Sequence, residues 1–329
     1  MKELNERKMK RIVSGIKPTG RPHLGNYFGM MKSVVEMQDE YESFLFVADY
    51  HALTTIHKKE ELHDLTVQLI LDYLAVGVDP KKTVFYLQSA IPELAELAWI
   101  LSSLVTVPWL ERAHAYKDAL AKGREAGVAL FSYPILMAAD ILATSAELVP
   151  VGKDQIQHVE MTRELARKFN SRYEKIFTEP KSFLSEGQVV PGIDGQKMSK
   201  SYGNIIPLFA DEKIIRKSVM RIVTDSLRPE DPKNPETCNV FALHKLITPS
   251  EELDEIREAY LKGGVGYAES KERLFKNVMS FTEEMRARRA FYEEHMELVY
   301  EIINEGNERA RGILIPLIEK VREAVGILS

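Results

Sequence analysis

Two short segments of the chain carry residues suited to binding phosphate groups. The first, KPTGRPHLGN at residues 17–26, follows a short apolar run and precedes a run with helical periodicity. Its glycines allow a nucleotide close to the backbone, and a helix start offers free N–H groups at the positive end of the helix dipole. His23 and Asn26 can each donate a hydrogen bond to a phosphate oxygen. The segment predicts a phosphate-binding loop, although its composition alone would also fit a plain structural turn.

The second segment, KMSKS at residues 197–201, places Lys197 and Lys200 close together in a loop after the turn PGIDGQ. Lysine ammonium groups act as point charges on phosphate oxygens, and they would stabilise the charge that develops on a leaving pyrophosphate. A solvated basic turn would have the same composition. The segments contain neither GxGxxG nor GxxxxGK followed by Ser or Thr, so they are not a dinucleotide fingerprint or a P-loop.

A third segment, SYPILMAADIL at 132–142, predicts one wall of a pocket. Pro134 favours the first position of a helix, on which Tyr133, Met137 and Asp140 would share one face. Asp140 has apolar neighbours, and a buried carboxylate needs a partner. An indole N–H is a suitable partner, because such a contact rejects substrates that lack the donor by as much as ~10⁴-fold. Capping a helix or pairing with Arg or Lys elsewhere are the alternative roles of Asp140.

Alternating elements must position these segments. The apolar runs at 11–15, 44–49 and 83–89 predict strands, and the amphipathic runs at 61–77 and 93–105 predict helices between and after them. This alternation is typical of an α/β domain with a parallel sheet and right-handed crossovers. Ligands of such sheets bind beyond the carboxyl ends of the strands, which is where the loop at 17–26 lies.

The chain changes character near residues 204–210. Beyond this point we predict helices at 211–223, 250–263 and 268–304, and a final helix to 328. We therefore predict a Rossmann-like catalytic domain at 1–206 that ends in the KMSKS loop, followed by a smaller, all-helical C-terminal domain at 207–329.

Composition limits the class of protein. The 329 residues carry a formal net charge of -5, which argues against nucleic-acid binding by the whole surface but leaves room for a local basic groove. Basic residues are densest at 271–276 and 286–289, where a solvated helix face is the alternative. The single cysteine, Cys238, fits a reducing compartment and excludes a metal site built on several cysteines. The charged start and the lack of a run of ~18 apolar residues predict a cytoplasmic protein without a membrane span.

The segments together resemble a known family. HLGN is similar to the HIGH signature, with Asn26 in place of its last histidine, and KMSKS matches in full; this pair at this spacing is typical of class I aminoacyl-tRNA synthetases. SGIKPTGRPHLGNYFG (14–29), VADYHALT (47–54) and VPVGKDQIQHVEMTRELARKFN (149–170), with the segment at 132–142, resemble the tryptophanyl-tRNA synthetases. The sister tyrosyl enzymes usually read Gly-Gly-Ser-Asp-Gln where this chain has PVGKDQ.

The resemblance implies a two-step reaction and its partners. L-Tryptophan would be activated by ATP to tryptophanyl-adenylate and pyrophosphate, and then transferred to the 3′ end of tRNA(Trp). Mg²⁺ would be carried by the ATP phosphates, so that the protein itself would hold no metal. The family works as a homodimer with one tRNA bridging the subunits, and the C-terminal helices would bind the anticodon.

The resemblance also assigns roles to individual residues. Asp140 would accept the indole N–H beside Met137, Tyr133 and Gln155 would hold the α-amino group, and His51 would lie at the pocket edge. His23, Asn26, Lys197 and Lys200 would be catalytic. The residues expected to contact ATP are Lys17, Pro18, Thr19, Gly25, Asn26, Gly152, Lys153, Asp154, Val189, Lys197, Met198, Ser199, Lys200 and Ser201.

Several positions depart from the family pattern. Lys17 stands where many relatives have glutamine, Lys153 where an acidic residue is common, and Ala119 where a second lysine follows Lys117. Some relatives carry four cysteines for an iron–sulfur cluster, whereas Cys238 is alone here. Tyr267 and Ser270 occupy the apparent ligand positions, so we predict no cluster.

Three other functions stay open at this level. The chain could be a tyrosyl-tRNA synthetase, a regulatory paralogue that binds tryptophan without charging tRNA, or a small HIGH-containing nucleotidyltransferase. The usable nucleotide motifs count against the paralogue, and the long helical C-terminal region counts against the nucleotidyltransferase.

Overall fold

The structure of the chain is a computed structural model that describes residues 9–123, 125–152, 155–184 and 189–328. Within them, one sheet has the strand order β3-β2-β1-β4-β5 with every pairing parallel. Its strands are β1 (Arg11–Ile16), β2 (Glu42–Val47), β3 (Thr83–Leu87), β4 (Leu148–Val151) and β5 (Lys181–Leu184). The predicted parallel α/β domain is confirmed; β4 and β5 had no counterpart among the predicted strands.

The sheet is least closely paired between its central strand, β1, and β4. β1 and β2 pair along their whole length, but β1 and β4 share a single aligned pair, Ile12 with Leu148. Pro150 lies on β4 beyond that pair, where it lacks the N–H that a continued ladder would need. Strand order also reverses between β1 and β4, so the crevice for a ligand forms here.

Helices fill both faces of the sheet in the first two thirds of the chain. They are α1 (Leu24–Asn26), α2 (Lys32–Met37), α3 (Asp49–Ala52), α4 (Lys59–Val76), α5 (Glu93–Ser102), α6 (Val107–Leu110), α7 (His114–Ala121), α8 (Val128–Ala143) and α9 (Ile156–Arg172). A π turn at Tyr27–Met31 joins α1 to α2. The prediction that Pro134 starts a helix was wrong, because α8 begins at Val128 and contains the proline.

Beyond residue 206 the described residues form helices, as predicted. These are α10 (Glu212–Met220), α11 (Asn239–Ile247), α12 (Ser250–Lys262), α13 (Tyr267–Phe281), α14 (Glu283–Glu294) and α15 (Met296–Val325). The single helix predicted at 268–304 was wrong. The chain bends at Thr282, whose hydroxyl donates to the Val278 carbonyl, and leaves helical geometry at His295 (φ -126°, ψ 57°).

The last helix returns to the sheet. Gly306 on α15 packs so closely on β3 that a Cβ there would lie 1.7 Å from the Phe85 carbonyl oxygen. The neighbouring Asn307 accepts a hydrogen bond from the Leu87 N–H (2.9 Å), so α15 covers the edge of the sheet. Packing therefore crosses the predicted division between 1–206 and 207–329, and that division stays a prediction. Among the described residues, no helix is long and apolar enough to cross a membrane.

Candidate active site

A cavity of about 1560 Å³ lies beyond the carboxyl ends of β1 and β4. Its wall combines the first signature, the second signature and one face of α8. The predicted site residues that line it are Lys17, His23, Gly25, Asn26, His51, Tyr133, Met137, Asp140, Gly152, Gln155, Val189, Lys197, Met198 and Ser199. The helical spacing of Tyr133, Met137 and Asp140 thus brings all three to one wall, as predicted.

Asp140 lies at the buried end of this wall, with 1% of the residue exposed. Gln88 donates its side-chain N–H groups to both carboxylate oxygens, at 2.8 and 2.9 Å. The His51 ring nitrogen Nε2 lies 2.9 Å from Oδ2. The carboxylate therefore has the partners that burial demands, and they fix its orientation towards the cavity.

Gln88 belongs to the site but was missed by sequence reasoning. It directly follows β3, is fully buried, and its side-chain oxygen also accepts a weak hydrogen bond from the His51 N–H at 3.4 Å. The signal was available, because a polar residue at the carboxyl end of a buried parallel strand faces the ligand crevice. Next to it, Ser89 donates to the Asp49 carboxylate through its N–H (3.0 Å) and its hydroxyl, which ties this turn to α3.

Tyr133 bridges the pocket wall and α9. Its hydroxyl lies 2.5 Å from His158 Nε2, and its ring meets the His51 ring edge-on at 6.3 Å between centroids. Burial raises the pKa of Tyr133 to about 12, so it stays a neutral phenol at physiological pH. Tyr133 and His51 therefore form a fixed aromatic corner beside Asp140.

The first signature forms the turn that starts α1. The His23 carbonyl accepts hydrogen bonds from the N–H groups of Asn26 (2.8 Å) and Tyr27 (3.1 Å), while the Asn26 side chain accepts one from the His23 N–H (3.1 Å). Burial, and secondarily the charge of Lys200, lower the pKa of His23 to about 4. The imidazole is thus neutral near pH 7 and keeps one N–H to donate.

The two signatures touch each other across the cavity floor. The Gly25 N–H points at the Met198 sulfur at 3.3 Å. A Cβ at Gly25 would lie 2.9 Å from His23 Nδ1 and 3.1 Å from the Met198 Cβ. Glycine at this position therefore lets the KMSKS loop approach the helix start.

Asn204 holds the KMSKS loop and was not predicted. Its side chain accepts from the Ser199 N–H (2.7 Å) and donates to the Lys197 carbonyl (3.1 Å) and the Asp194 carboxylate (2.7 Å). Gly192 makes room for it, since a Cβ there would lie 2.3 Å from the Asn204 amide nitrogen. Asn204 thus holds the backbone of the loop in place, while the Lys197 side chain stays exposed to solvent.

Lys17, which stands where many relatives have glutamine, has a defined hydrogen-bond partner in the structure. Its ammonium group donates to the Thr54 hydroxyl at 2.7 Å, and that hydroxyl donates to the His51 carbonyl at 2.8 Å. Burial lowers the pKa of Lys17. The lysine therefore joins the loop at 17–26 to the segment that carries His51.

Some predicted residues do not line the cavity. Pro18, Thr19, Lys200 and Ser201 are absent from its wall, and Lys200 points instead towards Gly20, where a Cβ would lie 3.3 Å from Nζ. Lys153 and Asp154 lie outside the described residues. The departure at 119 is a buried alanine on α7.

Cys238 and Ser270, two of the positions that the resemblance relates to an iron–sulfur cluster, take part in one chain of hydrogen bonds. Cys238 Sγ lies 3.9 Å from the Tyr260 hydroxyl, which in turn lies 2.7 Å from the Ser270 hydroxyl. The described residues contain no group of three or more His, Cys, Asp or Glu side chains placed to hold a metal ion. The absence of a cluster stays a prediction, which an iron assay and a visible absorption spectrum would test.

Comparison with known families decides what this site belongs to. The sequence model of the family "tRNA synthetases class I (W and Y)" matches residues 5–283. The chain belongs to the class I tRNA synthetases for tryptophan and tyrosine.

Within this synthetase family, the similar sequences are tryptophan–tRNA ligases. One from Fusobacterium nucleatum is 46% identical over 323 residues, covering 98% of this chain and 99% of the relative. One from Rhodopirellula baltica is 44% identical over 318 residues, covering 96% and 99%. The crystal structure of tryptophanyl-tRNA synthetase from Campylobacter jejuni complexed with ADP and tryptophan superposes with a TM-score of 0.93 at 44% identity, covering 96% of this chain and 99% of that one. The predicted family is confirmed.

Proposed function

We propose that this chain is a tryptophan–tRNA ligase, which activates L-tryptophan with Mg-ATP and transfers it to the 3′ end of tRNA(Trp). The observation that carries the proposal is the Asp140 carboxylate, buried at the inner end of a cavity whose wall also contains residues of both signatures. The similar chains that are named tryptophan–tRNA ligases, and the Campylobacter structure with ADP and tryptophan, support the choice of substrate.

The pocket offers one acceptor suited to an indole. The indole nitrogen is a donor only, and a carboxylate is an acceptor only. Entry of the indole N–H would replace or share the contact that His51 makes with Asp140, while Gln88 keeps the carboxylate in place. Met137 would pack against the ring, and Tyr133 and Gln155 would hold the α-amino group. An amino acid that displaced His51 without bringing a donor of its own would cost Asp140 that contact, so such an amino acid would be bound poorly.

The adenylation step needs no enzyme nucleophile. The tryptophan carboxylate attacks the α-phosphorus of ATP, the bond from that phosphorus to the bridging oxygen breaks, and pyrophosphate leaves with its electron pair. The first signature would position the ATP phosphates through the helix start and neutral His23, and Lys197 and Lys200 would stabilise charge on the pyrophosphate. A terminal ribose hydroxyl of the tRNA then attacks the adenylate carbonyl and AMP leaves. Mg²⁺ would enter with ATP as part of that substrate.

ATP–pyrophosphate exchange with all twenty amino acids tests this function. We expect exchange with tryptophan and very little with tyrosine. Asp140→Asn should weaken tryptophan binding by about 10²-fold or more and leave ATP binding close to normal. Exchange that favours tyrosine, or an Asp140→Asn variant with unchanged tryptophan affinity, would contradict the assignment.

A charging assay separates a ligase from a regulatory paralogue. We expect tryptophanyl-tRNA to accumulate when tRNA(Trp) is added, and Lys200→Ala to slow adenylate formation far more than it weakens tryptophan binding. Exchange without any charging would favour the paralogue. Near-normal exchange in Lys200→Ala would show that this lysine has another role.

We also propose that the chain works as a homodimer. Trp99 on α5 is 79% exposed and Val128 at the start of α8 is 81% exposed, and Val107 in α6 is exposed as well. These side chains lie on helices that pack together, since α5 and α6 both pack against α8. An exposed apolar patch of this kind fits a second copy of the chain.

The helical region from residue 207 is the proposed anticodon platform, with the catalytic domain at 1–206. In this helical region, the arginines at 286–289 mostly contact other parts of the chain. Arg288 donates a hydrogen bond to the Ala75 carbonyl (2.8 Å) and Arg286 donates one to the Met279 carbonyl (3.0 Å), while Arg289 is buried. Lys276 is exposed. A limited set of exposed side chains on these helices, rather than a broad basic face, would therefore contact the tRNA.

A further inference from the structure

The turn Gln88–Ala90, which directly follows β3, is bound on both of its sides by the last helix of the chain. Before the turn, the Leu87 N–H donates to the side-chain oxygen of Asn307 on α15 at 2.9 Å. At its end, Arg311 of the same helix donates to the Ala90 carbonyl at 2.9 Å. We call this segment the Gln88 turn. Two residues one helical turn apart on α15 therefore hold its two ends.

These contacts exist because β3 is the outermost strand in the order β3-β2-β1-β4-β5. The polar backbone groups on the outer side of an edge strand need partners from elsewhere in the fold. α15 supplies one for the Leu87 N–H, and Gly306 permits the close approach to the Phe85 carbonyl. The position of the Gln88 turn therefore depends on α15 as well as on the sheet.

Gln88 connects this turn to Asp140. Its side chain is fully buried, and the amide nitrogen donates to both carboxylate oxygens, at 2.8 and 2.9 Å. Because the side chain has a fixed length, a shift of the turn backbone must lengthen these bonds or rotate the carboxylate. A displacement of about 1 Å in a binding site can cost as much as ~10²-fold in activity. The contacts that fix the turn thus also fix the acceptor in the cavity.

We propose that Asn307 and Arg311 are positioning residues for the amino-acid substrate, which hold the Gln88 turn and thereby keep Asp140 where the indole N–H arrives. The proposal rests on the proposed function, because it takes Asp140 as the acceptor of that N–H. Neither of the two α15 residues lines the cavity. The loop of the second signature is held by other contacts, such as that of Asn204 with Ser199 (2.7 Å). A defect at α15 should therefore affect tryptophan and spare ATP.

Further contacts of the turn limit the size of the effect. The Ser89 N–H donates to the Asp49 carboxylate at 3.0 Å, which holds the middle of the turn from α3. Loss of one contact from α15 therefore leaves the turn in place but less well fixed. Each single loss should be smaller than the loss of the Gln88 side chain itself.

Variants of the two α15 residues test this role. Asn307→Leu removes the acceptor for the Leu87 N–H, and Arg311→Met removes the donor to the Ala90 carbonyl. In each variant we expect the Kd for tryptophan, measured by calorimetric titration, to rise about three- to fivefold, and the KM for ATP in exchange to stay within about twofold. An unchanged Kd for tryptophan in either variant would overturn the proposal.

A conservative variant separates the hydrogen bond from the packing of the side chain. Asn307→Asp keeps an oxygen that can accept from the Leu87 N–H, so its Kd for tryptophan should stay within about twofold of the wild-type value. If Asn307→Asp raised this Kd as much as Asn307→Leu, the hydrogen bond would not be the cause, and the proposal would fail.

Arg309→Met is the matched control. Arg309 lies on the same helix but donates to the Pro80 and Thr83 carbonyls, at the amino end of β3, opposite the site. We expect this variant to lower the free energy of unfolding in urea and to leave the Kd for tryptophan unchanged. A Kd raised as much as in Asn307→Leu would mean that any weakening of the contact between α15 and β3 has this effect, which contradicts a specific role of the two residues.

A double-mutant cycle shows whether the effect passes through Gln88. In a Gln88→Met background, Asn307→Leu should raise the Kd for tryptophan no further, because the turn has lost the side chain that reaches Asp140. A further rise of full size would show that Asn307 acts by another route and would refute the positioning role.

The wild-type chain separates this proposal from the proposed function. If it shows no tryptophan-dependent exchange, the function is wrong. If it shows exchange but Asn307→Leu leaves the Kd for tryptophan unchanged, only the role of the α15 residues is wrong.

Discussion

At the residue scale, Asp140 illustrates how a buried charge is prepared for a ligand. Its two oxygens are oriented by the Gln88 amide, and one of them faces His51, which lines the same cavity. The Gln88 amide is fully buried and does not line the cavity, whereas His51 does. This division predicts that Gln88 sets the geometry and that His51 yields to the ligand.

Replacing Gln88 tests that division. Gln88→Met keeps the volume but removes both hydrogen bonds to Asp140, and we expect the Kd for tryptophan to rise about tenfold, because the carboxylate is no longer held in place. The KM for ATP should change little. Calorimetric titration with tryptophan measures the effect; an unchanged Kd would show that the protein positions Asp140 without Gln88.

A second residue, His244, predicts a dependence of stability on pH. Burial lowers its pKa from 6.5 to about 4, and the side chain is fully buried with Nδ1 2.7 Å from the Thr248 hydroxyl. Between these two pH values His244 is protonated in the unfolded chain but neutral in the folded chain. The free energy of unfolding is therefore unaffected by protonation of His244 above pH 6.5, and it decreases as the pH falls from 6.5 towards 4.

His244→Gln removes this titration and retains hydrogen-bonding capacity. Between pH 7 and 4.5 we expect the wild-type chain to lose about 2–3 kcal/mol more free energy of unfolding than the variant. Urea unfolding at several pH values measures it, and the comparison cancels the contributions of His23 and Asp72, which both chains share. Parallel curves for the two chains would contradict the lowered pKa.

At the element scale, the KMSKS loop is held in place by hydrogen bonds from one side chain, that of Asn204, to the backbone of the loop. Asn204 binds the N–H of Ser199 and the carbonyl of Lys197, so it sets where the loop presents its lysines. The motif letters indicate what the loop binds, but Asn204 lies outside them. Its role follows only from the folded structure, in which the Asn204 side chain packs against Gly192 and reaches the loop backbone.

Removing this brace should impair catalysis selectively. We expect Asn204→Ala to lower kcat for exchange about ten- to a hundredfold, because the lysines are no longer held against the phosphates, and to leave the Kd for tryptophan unchanged. The matched control is Asn170→Ala, which removes a similar brace, from the Ile176 and Phe177 N–H groups (3.1 and 2.9 Å). That control should lower stability without lowering kcat. Equal losses of kcat in both variants would reduce Asn204 to a structural role.

At the scale of the whole molecule, α15 ties the chain's end to its first half. Gly306 and Asn307 seal the edge at β3, while the patch around Trp99 on the neighbouring α5 stays open to solvent. The β3 edge is closed within the chain, whereas the apolar Trp99 side chain on α5 is exposed. We propose that a second copy of the chain covers this side chain.

Trp99→Asp tests the dimer. We expect it to raise the dissociation constant of the dimer at least about tenfold, because a carboxylate would be buried without a partner. Sedimentation velocity over a range of concentrations measures this. Ile214→Asp, at an exposed position on α10, is the control and should leave the assembly unchanged. A wild-type chain that sediments as a monomer at micromolar concentration would refute the dimer.

The sequence by itself determined the chemistry and its placement along the chain. Periodicity put Tyr133, Met137 and Asp140 on one face, and the two signatures predicted the nucleotide loops, because both inferences depend on residues close together in sequence. It did not reveal β4, whose four residues contain a proline, or the breaks at Thr282 and His295. Short elements with weak periodicity are stabilised by their neighbours in space, which local patterns do not record.

Only the tertiary structure decided which distant residues serve the site. Gln88 reaches Asp140 across 52 residues, and Leu87 meets Asn307 across 220. Such long-range contacts depend on how the helices pack on the sheet. A chain could have the same local sequence patterns and still lack these contacts. The physical reason is that burial makes a partner obligatory for each polar group, while only the folded chain determines which residue supplies it.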